Sequence, residues 1–296
     1  MKTLLVISGA TGVGKTELSL QVAERLTCPI LNADSRQIYR ELPIGTAAPT
    51  AEEQARVKHY FVGTHSVSEA YSAGEYAADA LTLIKQLHQK HDTLLMVGGG
   101  MMYIDAVCDG IDNIPTVDEK TRTTMKRRLA DEGLESLCED LRRLDPDYYE
   151  IVDRQNPRRV VHALEICTMT GRTYTSFRIK EKKQRPFRIV KIGLNRPREE
   201  LYGRINARVD KMMADGLLKE ASDLYPLRHL NALNTVGYKE LFDYFEDRWP
   251  LEEAIERIKG NTRRYARKQL TWYKKDKNIQ WFHPHDKQAI IDYITH

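Results

Sequence analysis

Cysteine is scarce in this chain and never paired in sequence. The four cysteines are Cys28, Cys108, Cys138 and Cys167. Because no C-x-x-C spacing occurs, the sequence predicts neither a cysteine zinc site nor a disulfide framework, and a reducing cytoplasm is its simplest environment. No apolar run approaches the length of a bilayer span, and Met1 and Lys2 lead directly into a strand-like run, so we expect neither a membrane anchor nor a signal peptide.

A large net charge is also absent, but the basic residues are concentrated. The formal net charge is only +4, yet the stretch 257–277 holds nine Lys or Arg against one acid, with Tyr265, Trp272 and Tyr273 between them. The stretch 172–191 is similarly basic, with Glu181 as its only acid. Two such segments on a near-neutral chain favour a polyanionic partner, although a single charge run is more often a solvated helix face.

The clearest motif that is present is GATGVGKT at 9–16, which matches G-x-x-x-x-G-K-[ST]. It follows the apolar run LLVI at 4–7 and precedes ELSLQVAERL, which has helical periodicity. In this context backbone N–H groups and a helix N-terminus converge on a phosphate, the lysine adds charge, and the hydroxyl of Thr16 is a Mg²⁺ ligand. The motif does not specify what carries the phosphate. The candidate phosphate-binding residues are Gly9, Ala10, Thr11, Gly12, Val13, Gly14, Lys15 and Thr16.

Strand-like and helical segments alternate along most of the chain. This alternation predicts an α/β fold, a P-loop NTPase-like parallel sheet flanked by helices. The strand-like runs lie at 3–8, 30–33, 93–97 and 187–194, and the first helical segments near 15–26 and 72–90.

The pattern changes near Ile114, where short charged helices replace the alternation until about residue 181. We therefore expect an all-helical insertion at 115–184 between two parts of one core, 1–114 and 185–296, the second with a helical C-terminal part. A long helix is expected from about 197 to 215, with proline in its first turn and Gly216 at its end. On it Arg204, Arg208 and Lys211 share one face.

Polar and glycine residues follow two of the predicted strands. Asp34 and Ser35 follow the second, and Gly98–Gly100 follow the third, so these positions are expected to open onto the same cleft as the phosphate loop. Asp34 is a candidate general base, a water-mediated metal ligand or a helix cap. The third strand ends in glycine rather than in the acid that P-loop ATPases use for Mg²⁺, although a small kinase using Asp34 remains possible.

Eight segments in a fixed order resemble the tRNA dimethylallyltransferases, which prenylate adenosine beside the anticodon. The resemblance spans essentially the whole chain. Its segments are GATGVGKT at 9–16, ADSRQIY at 33–39, IGTAAP at 44–49, YSAGEYAADA at 71–80, GGGMMY at 98–103, NPRRVVHALEI at 156–166, VGYKEL at 236–241 and RRYARKQLTWYKK at 263–275.

This resemblance implies that the loop grips the pyrophosphate of dimethylallyl diphosphate, with Mg²⁺ at Thr16, and that Asp34 is the general base. It also implies contact with the anticodon stem-loop of tRNA, by a protein that we expect to be a monomer. The residues expected at tRNA from the resemblance are Asp34, Ser35, Arg36, Gln37, Gly100, Arg158, Arg159, Val160, Val161, His162, Asn234, Thr235, Val236, Gly237, Tyr238 and Lys239.

The residue types add further candidates to these. A guanidinium from Arg204 or Arg208, together with Lys15, would neutralise charge on a departing diphosphate. Four basic residues are expected to contact RNA phosphates without specifying sequence: Arg263, Arg264, Arg267 and Lys268. Four aromatic residues are candidates for stacking on an unstacked base, although core packing is the commoner role: Tyr39, Tyr103, Tyr265 and Trp272.

The sequence departs from the family pattern at three places. Gly100 stands where Thr or Ser is usual, Ala48 where Lys is usual, and His162 where Arg is usual. A backbone N–H or a water would have to replace the missing hydroxyl at Gly100, so Gly100→Ser or Thr is expected to raise turnover. These departures keep open a tRNA-binding paralogue with reduced or lost catalysis, and prenyl transfer to a free adenine nucleotide is a further alternative.

Overall fold

The computed structural model describes residues 1–179 and 181–295. The chain forms two compact units, one comprising residue 1 to Cys108 and Gln184 to the C-terminus, the other Asp109–Lys183. The sequence analysis set the limits of the insertion at 115 and 184, and the second unit therefore begins earlier in the chain than expected.

The first unit is built on a six-stranded sheet. The strands are β1 Thr3–Gly9, β2 Ile30–Asn32, β3 His59–Tyr60, β4 Thr93–Gly98, β5 Arg188–Leu194 and β6 Ile279–Phe282. Their order in the sheet is β3-β2-β4-β1-β5-β6, and every pair of neighbours is parallel. The parallel α/β fold predicted from the sequence is thus confirmed, whereas the edge strands β3 and β6 were not predicted.

Helices make up most of the remaining described residues. None of those within residues 1–179 and 181–295 is both long and apolar enough to cross a membrane. The helices of the first unit are α1 Lys15–Leu26, α2 Ala51–Arg56, α3 Ala73–Leu87, α4 Met101–Cys108, α8 Arg198–Ala214, α9 Leu217–Leu224, α10 Tyr238–Phe245, α11 Leu251–Tyr273 and α12 Lys287–Thr295. Those of the second unit are α5 Glu119–Leu144, α6 Pro146–Ile151 and α7 Pro157–Thr170.

The central strand β1 determines where a ligand can bind. All its residues are buried except Thr3, which is half-buried, as expected for a parallel strand covered on both faces. After β1 the chain builds β2, β3 and β4 on one side of it, and later β5 and β6 on the other. A crevice forms beyond the carboxyl end of a strand where the order reverses in this way, and the loop at 9–16 follows β1 at that point.

The second unit has a core of its own, in which Leu137, Leu141 and Leu164 are fully buried. Short charged helices were predicted in this region, and α5 is indeed interrupted at Gly133, whose φ of 80° and ψ of 170° are not helical. α7 begins with Pro157 and ends before Gly171, which adopts the left-handed conformation that often terminates helices.

Candidate active site

The phosphate loop joins β1 to α1 and opens onto a cavity of about 1160 Å³, here called the central cleft. Gly14 precedes α1 with a φ of 106°, a conformation that favours glycine. A Cβ on Gly12 would lie 2.9 Å from Cγ1 of Ile205, so the loop packs closely on α8. The loop residues that line the cleft are Thr11, Gly12, Gly14, Lys15 and Thr16.

The other three candidates of the loop have structural positions. The side chains of Ala10 and Val13 are fully buried beneath the loop. Gly9 ends β1, and a Cβ there would lie 2.8 Å from the carbonyl oxygen of Leu194. Direct phosphate contact through these side chains is therefore excluded, and their contribution to the loop is its backbone path.

Lys15 is a cation of the cleft whose amine bonds the loop itself. Its Nζ donates hydrogen bonds to the carbonyl oxygens of Gly9 and Ala10, both at 2.9 Å. Burial lowers the pKa of Lys15 to about 8; the negative charge of Asp34 opposes this shift and the positive charge of Arg208 adds to it. An anion that binds beside Lys15 would raise this pKa again, because it stabilises the charged form of the amine.

Asp34 follows β2 after one intervening residue, Ala33, and lines the same cleft. Its Oδ1 accepts hydrogen bonds from the backbone N–H groups of Arg36 at 2.9 Å and Gln37 at 3.4 Å. One carboxylate oxygen thus fixes the turn, and among the described residues none donates a hydrogen bond to Oδ2. The cap and the candidate base are therefore two oxygens of one side chain, and the second is available to a ligand.

Three basic residues of α8 face the cleft, as the helical spacing predicted: Arg204, Arg208 and Lys211. Nε of Arg204 donates to the carbonyl oxygen of Gly12 at 2.9 Å, which ties it to the phosphate loop. Nη2 of Arg208 donates to the carbonyl oxygen of Thr46 at 3.0 Å. Burial lowers the pKa of Arg208, and Asp34 opposes this shift, so the two charges are close enough to interact.

The segment 44–47 forms another wall and is held by a residue that the sequence analysis missed. The carboxylate of Glu220 accepts hydrogen bonds from the backbone N–H groups of Ile44 at 2.9 Å and Gly45 at 2.8 Å. It also accepts one from the hydroxyl of Tyr238 at 2.6 Å. Gln37 holds the other end of this segment, because its Nε2 donates to the carbonyl oxygens of Thr46 and Ala47, both at 3.0 Å.

Most candidate tRNA residues of the first unit also line this cleft. They are Asp34, Ser35, Arg36, Gln37, Asn234, Thr235, Val236, Gly237, Lys239, Arg264 and Lys268. Tyr238 is an exception: its side chain is fully buried and its hydroxyl donates to Glu220, so only its backbone could take part in a tRNA contact. Arg263 and Arg267 are not among the described lining residues, and Nη1 of Arg263 donates to Oδ1 of Asn206 at 2.6 Å.

The candidates at 158–162 belong to the second unit, in the first turns of α7. Arg158 and Arg159 are exposed, and Val161 and His162 are half-buried. Nδ1 of His162 lies 3.4 Å from the buried carboxylate of Glu165. Val160 is fully buried in the core of the unit, so a tRNA contact through its side chain is excluded.

The four aromatic candidates separate into two pairs. Tyr39 and Tyr103 are buried, and Tyr103 stacks on Tyr76 with ring centroids 4.2 Å apart, so both are core residues. Trp272 is partly exposed and its Nε1 donates to Asp105 at 2.8 Å. Tyr265 alone of the four lines the cleft; burial of its hydroxyl and the nearby Asp34 raise its pKa to about 12, while Arg36 opposes the shift.

The surroundings of Gly100 argue against the expectation that a hydroxyl there would raise turnover. Its backbone N–H donates to the carbonyl oxygen of Ala33 at 2.9 Å, so this group is not available to replace a hydroxyl. A Cβ at Gly100 would lie 2.5 Å from the same oxygen, which belongs to the residue before Asp34. A larger side chain would therefore displace the backbone that carries the candidate base, and we expect it to lower turnover.

A second residue missed by the sequence analysis is Gln269 on α11, which is 1% exposed. Its side chain contacts both the phosphate loop and the glycines that follow β4. Tyr265 precedes it by four residues, so the helical repeat places both on one face. This spacing, and the position of Gln269 within the family segment at 263–275, are the signals that could have identified it.

The residues present are compatible with a Mg²⁺ ion bound together with a diphosphate. Thr16 lines the cleft at the start of α1, where a hydroxyl ligand is expected. Among the described residues there is no group of three or more His, Cys, Asp or Glu side chains that could hold a metal alone. Mg²⁺ commonly takes few protein ligands and completes its shell with phosphate oxygens and water, so this donor set fits.

A protein-family model named IPP transferase matches residues 37–276. The chain belongs to the IPP transferase family. It is 62% identical over 292 residues to tRNA dimethylallyltransferase 1 of Phocaeicola vulgatus, and the matched residues cover 99% of this chain and 97% of that protein. It is 58% identical over 294 residues to tRNA dimethylallyltransferase 1 of Bacteroides thetaiotaomicron, with 99% and 96% covered.

Solved structures of this family share the fold. The full-length tRNA isopentenylpyrophosphate transferase of Bacillus halodurans matches with a TM-score of 0.74 and 35% identity, covering 100% of this chain and 96% of that one. A eukaryotic dimethylallyltransferase acting on tRNA matches with a TM-score of 0.75 and 27% identity, covering 92% and 70%. The resemblance inferred from the eight sequence segments is confirmed.

Proposed function

We propose that this protein transfers a dimethylallyl group from dimethylallyl diphosphate to N6 of the adenosine next to the anticodon of tRNA. The observation that carries the proposal is the convergence of the phosphate loop, the Asp34 carboxylate and the cations of α8 on one cleft, in a member of the IPP transferase family. The phosphate-binding loop can stabilise an anionic leaving group, and Oδ2 of Asp34 can accept a proton from the acceptor.

On the donor side, loop N–H groups and the N-terminus of α1 bind the diphosphate. Lys15, Arg204 and Arg208 neutralise the charge that develops as the bond from carbon to the diphosphate oxygen breaks. Mg²⁺, held by the Thr16 hydroxyl and the diphosphate, would supply further charge stabilisation to the leaving group.

On the acceptor side, the N6 amine is a weak nucleophile because its lone pair is delocalised into the purine. Asp34 Oδ2 accepts the N6 proton as the new C–N bond forms, while Oδ1 stays bonded to the turn. General-base help of this kind contributes about 10²–10⁴-fold to the rate. The adenine must leave the anticodon-loop stack to reach the cleft.

Recognition of tRNA is assigned to two sets of residues. Arg264 and Lys268 line the cleft and would contact phosphates near the target base, and Arg158 and Arg159 are exposed on α7 in the second unit. Such contacts position the RNA without reading sequence. We propose that the protein acts as a monomer in the cytoplasm, where its four free thiols would remain reduced.

The proposal is tested by incubating the protein with labelled dimethylallyl diphosphate, Mg²⁺ and unmodified tRNA, with AMP and ATP as acceptors in parallel reactions. Label is expected in tRNA, on adenosine next to the anticodon, and dependent on Mg²⁺. Label in AMP or ATP rather than tRNA would identify the nucleotide acceptor instead. Tight, salt-sensitive tRNA binding without transfer would identify a non-catalytic paralogue, and consumption of ATP without label transfer would identify a kinase.

A further inference from the structure

The side chain of Gln269 connects two loops that lie far apart in sequence. Its Oε1 accepts a hydrogen bond from the backbone N–H of Thr11 in the phosphate loop at 2.9 Å. Its Nε2 donates to the carbonyl oxygen of Gly99, after β4, also at 2.9 Å. A buried amide that bonds main chain on both sides is a fixed spacer between these loops.

The space for this amide exists because residue 99 is glycine. A Cβ on Gly99 would lie 2.5 Å from Nε2 of Gln269 and 3.8 Å from Oδ2 of Asp34. The amide and the candidate catalytic oxygen therefore approach the same small region of backbone. Any change that moves the amide also changes the surroundings of Asp34.

Only a glutamine satisfies both backbone groups at this position. A carboxylate accepts hydrogen bonds but donates none, leucine does neither, and asparagine is one methylene shorter. A buried peptide group without a partner is costly, so the loops would shift until their polar groups found others. Gln269 also lies on the helix that presents Tyr265 and Lys268 to the cleft.

We propose that Gln269 is a positioning residue, which sets the distance between the diphosphate-binding loop and the glycines after β4. These glycines hold the backbone beside Asp34, because the N–H of Gly100 donates to the carbonyl oxygen of Ala33. Through this spacing it aligns the donor carbon with the N6 amine. The inference rests on the proposed function, because it concerns the geometry between that donor and that acceptor. Misplacement of reacting groups by a small distance lowers the rate much more than it lowers binding.

Four proteins test this: the native chain, Gln269→Leu, Gln269→Glu and the exposed control Gln280→Leu. For each we would measure thermal unfolding, binding of inorganic diphosphate with Mg²⁺ by calorimetry, tRNA binding, and kcat and KM for transfer. Gln269→Leu is expected to lower kcat and weaken diphosphate binding, each by about tenfold, with tRNA affinity within about twofold of native. Gln269→Glu keeps the acceptor for Thr11, so diphosphate binding should recover while kcat stays low.

The outcome that overturns the proposal is native kcat in both folded variants, or an equal loss of diphosphate binding, tRNA binding and kcat that follows the loss of folded protein. Should the leucine variant not fold, Gly99→Ala provides the same test, since its methyl group displaces the amide. Combining Gly99→Ala with Gln269→Glu should then cost little more than the larger single effect, because both act on one contact. Diphosphate binding does not require transfer, so a native protein that binds diphosphate but transfers nothing refutes the proposed function separately.

Discussion

At the residue scale, the two oxygens of Asp34 have separable tasks. Asp34→Asn keeps an oxygen to accept the N–H of Arg36, and therefore keeps the turn, but it removes the base. We expect kcat to fall by about 10²–10⁴-fold. Diphosphate and tRNA affinities should remain within a few-fold of native. Rates of transfer in single-turnover reactions would measure this, with the exposed Asp92→Asn as the control; near-native transfer would remove Asp34 from its role.

The buried amine of Lys15 leads to a prediction about pH. Because its pKa is lowered to about 8, Lys15 is charged below that pH and loses its proton as the pH rises through it. The contribution of Lys15 to diphosphate affinity should be constant well below pH 8 and fall by up to about tenfold per pH unit above it. Calorimetry across this range would show the decline. The variant Lys15→Arg stays charged over this range, so subtracting its pH profile of affinity from that of the native protein removes the effect of diphosphate's own titration. Parallel profiles for the two proteins would show that Lys15 does not lose its proton in this range.

The tight packing at Gly100 leads to a prediction about stability and turnover. Its close approach to the Ala33 carbonyl leaves no room for a Cβ, so Gly100→Ser should force the backbone before Asp34 to move. We expect about 1–3 kcal/mol of lost stability and a lower kcat. Urea denaturation and steady-state kinetics would test this against Gly203→Ser, where nothing lies within 4 Å of the added atom. A higher kcat at native stability would restore the original expectation.

At the scale of elements, one carboxylate holds a whole wall of the cleft. Glu220 on α9 binds two backbone N–H groups of the segment 44–47 and the hydroxyl of Tyr238. Removing it leaves three polar groups short of a partner, so Glu220→Ala should lose about 3 kcal/mol of folding free energy and also lower kcat. Asp223→Ala, on the same helix and 62% exposed, should change stability by less than about 0.5 kcal/mol. Chemical denaturation would measure the free energy of unfolding of both variants. Equal losses would show that the hydrogen bonds of Glu220 do not stabilise the fold.

Elements with strong local patterns were predictable, and those defined by partners were not. Apolar runs gave β1, β4 and β5 within about one residue of their observed ends, since buried parallel strands are continuously apolar. The two residues of β3 and the four of β6 are strands because β2 and β5 offer them unpaired edges. Pro197 was expected in the first turn of α8, but it is the residue before that helix. A difference of one residue is within the range over which the end of a helix can be defined.

At the scale of the whole molecule, the two units are expected to contribute separately to tRNA binding. The double variant Arg158→Ala and Arg159→Ala removes two exposed charges from α7 without touching the central cleft. We expect weaker tRNA binding, with the dependence of log K on log salt reduced by about two, and unchanged binding of diphosphate. Filter binding across a salt series would measure the slope. An unchanged slope would exclude these arginines from the RNA contact.

The sequence by itself determined the phosphate loop, the parallel sheet, the cations of α8 and the family, because each depends on residues that are neighbours in the chain or repeat at a helical spacing. Only the tertiary structure decided which polar groups meet. Gln269 bonds to groups 258 and 170 residues away, and both partners are backbone atoms. Every residue carries such atoms, so no pattern of side chains marks the few that a fold brings together.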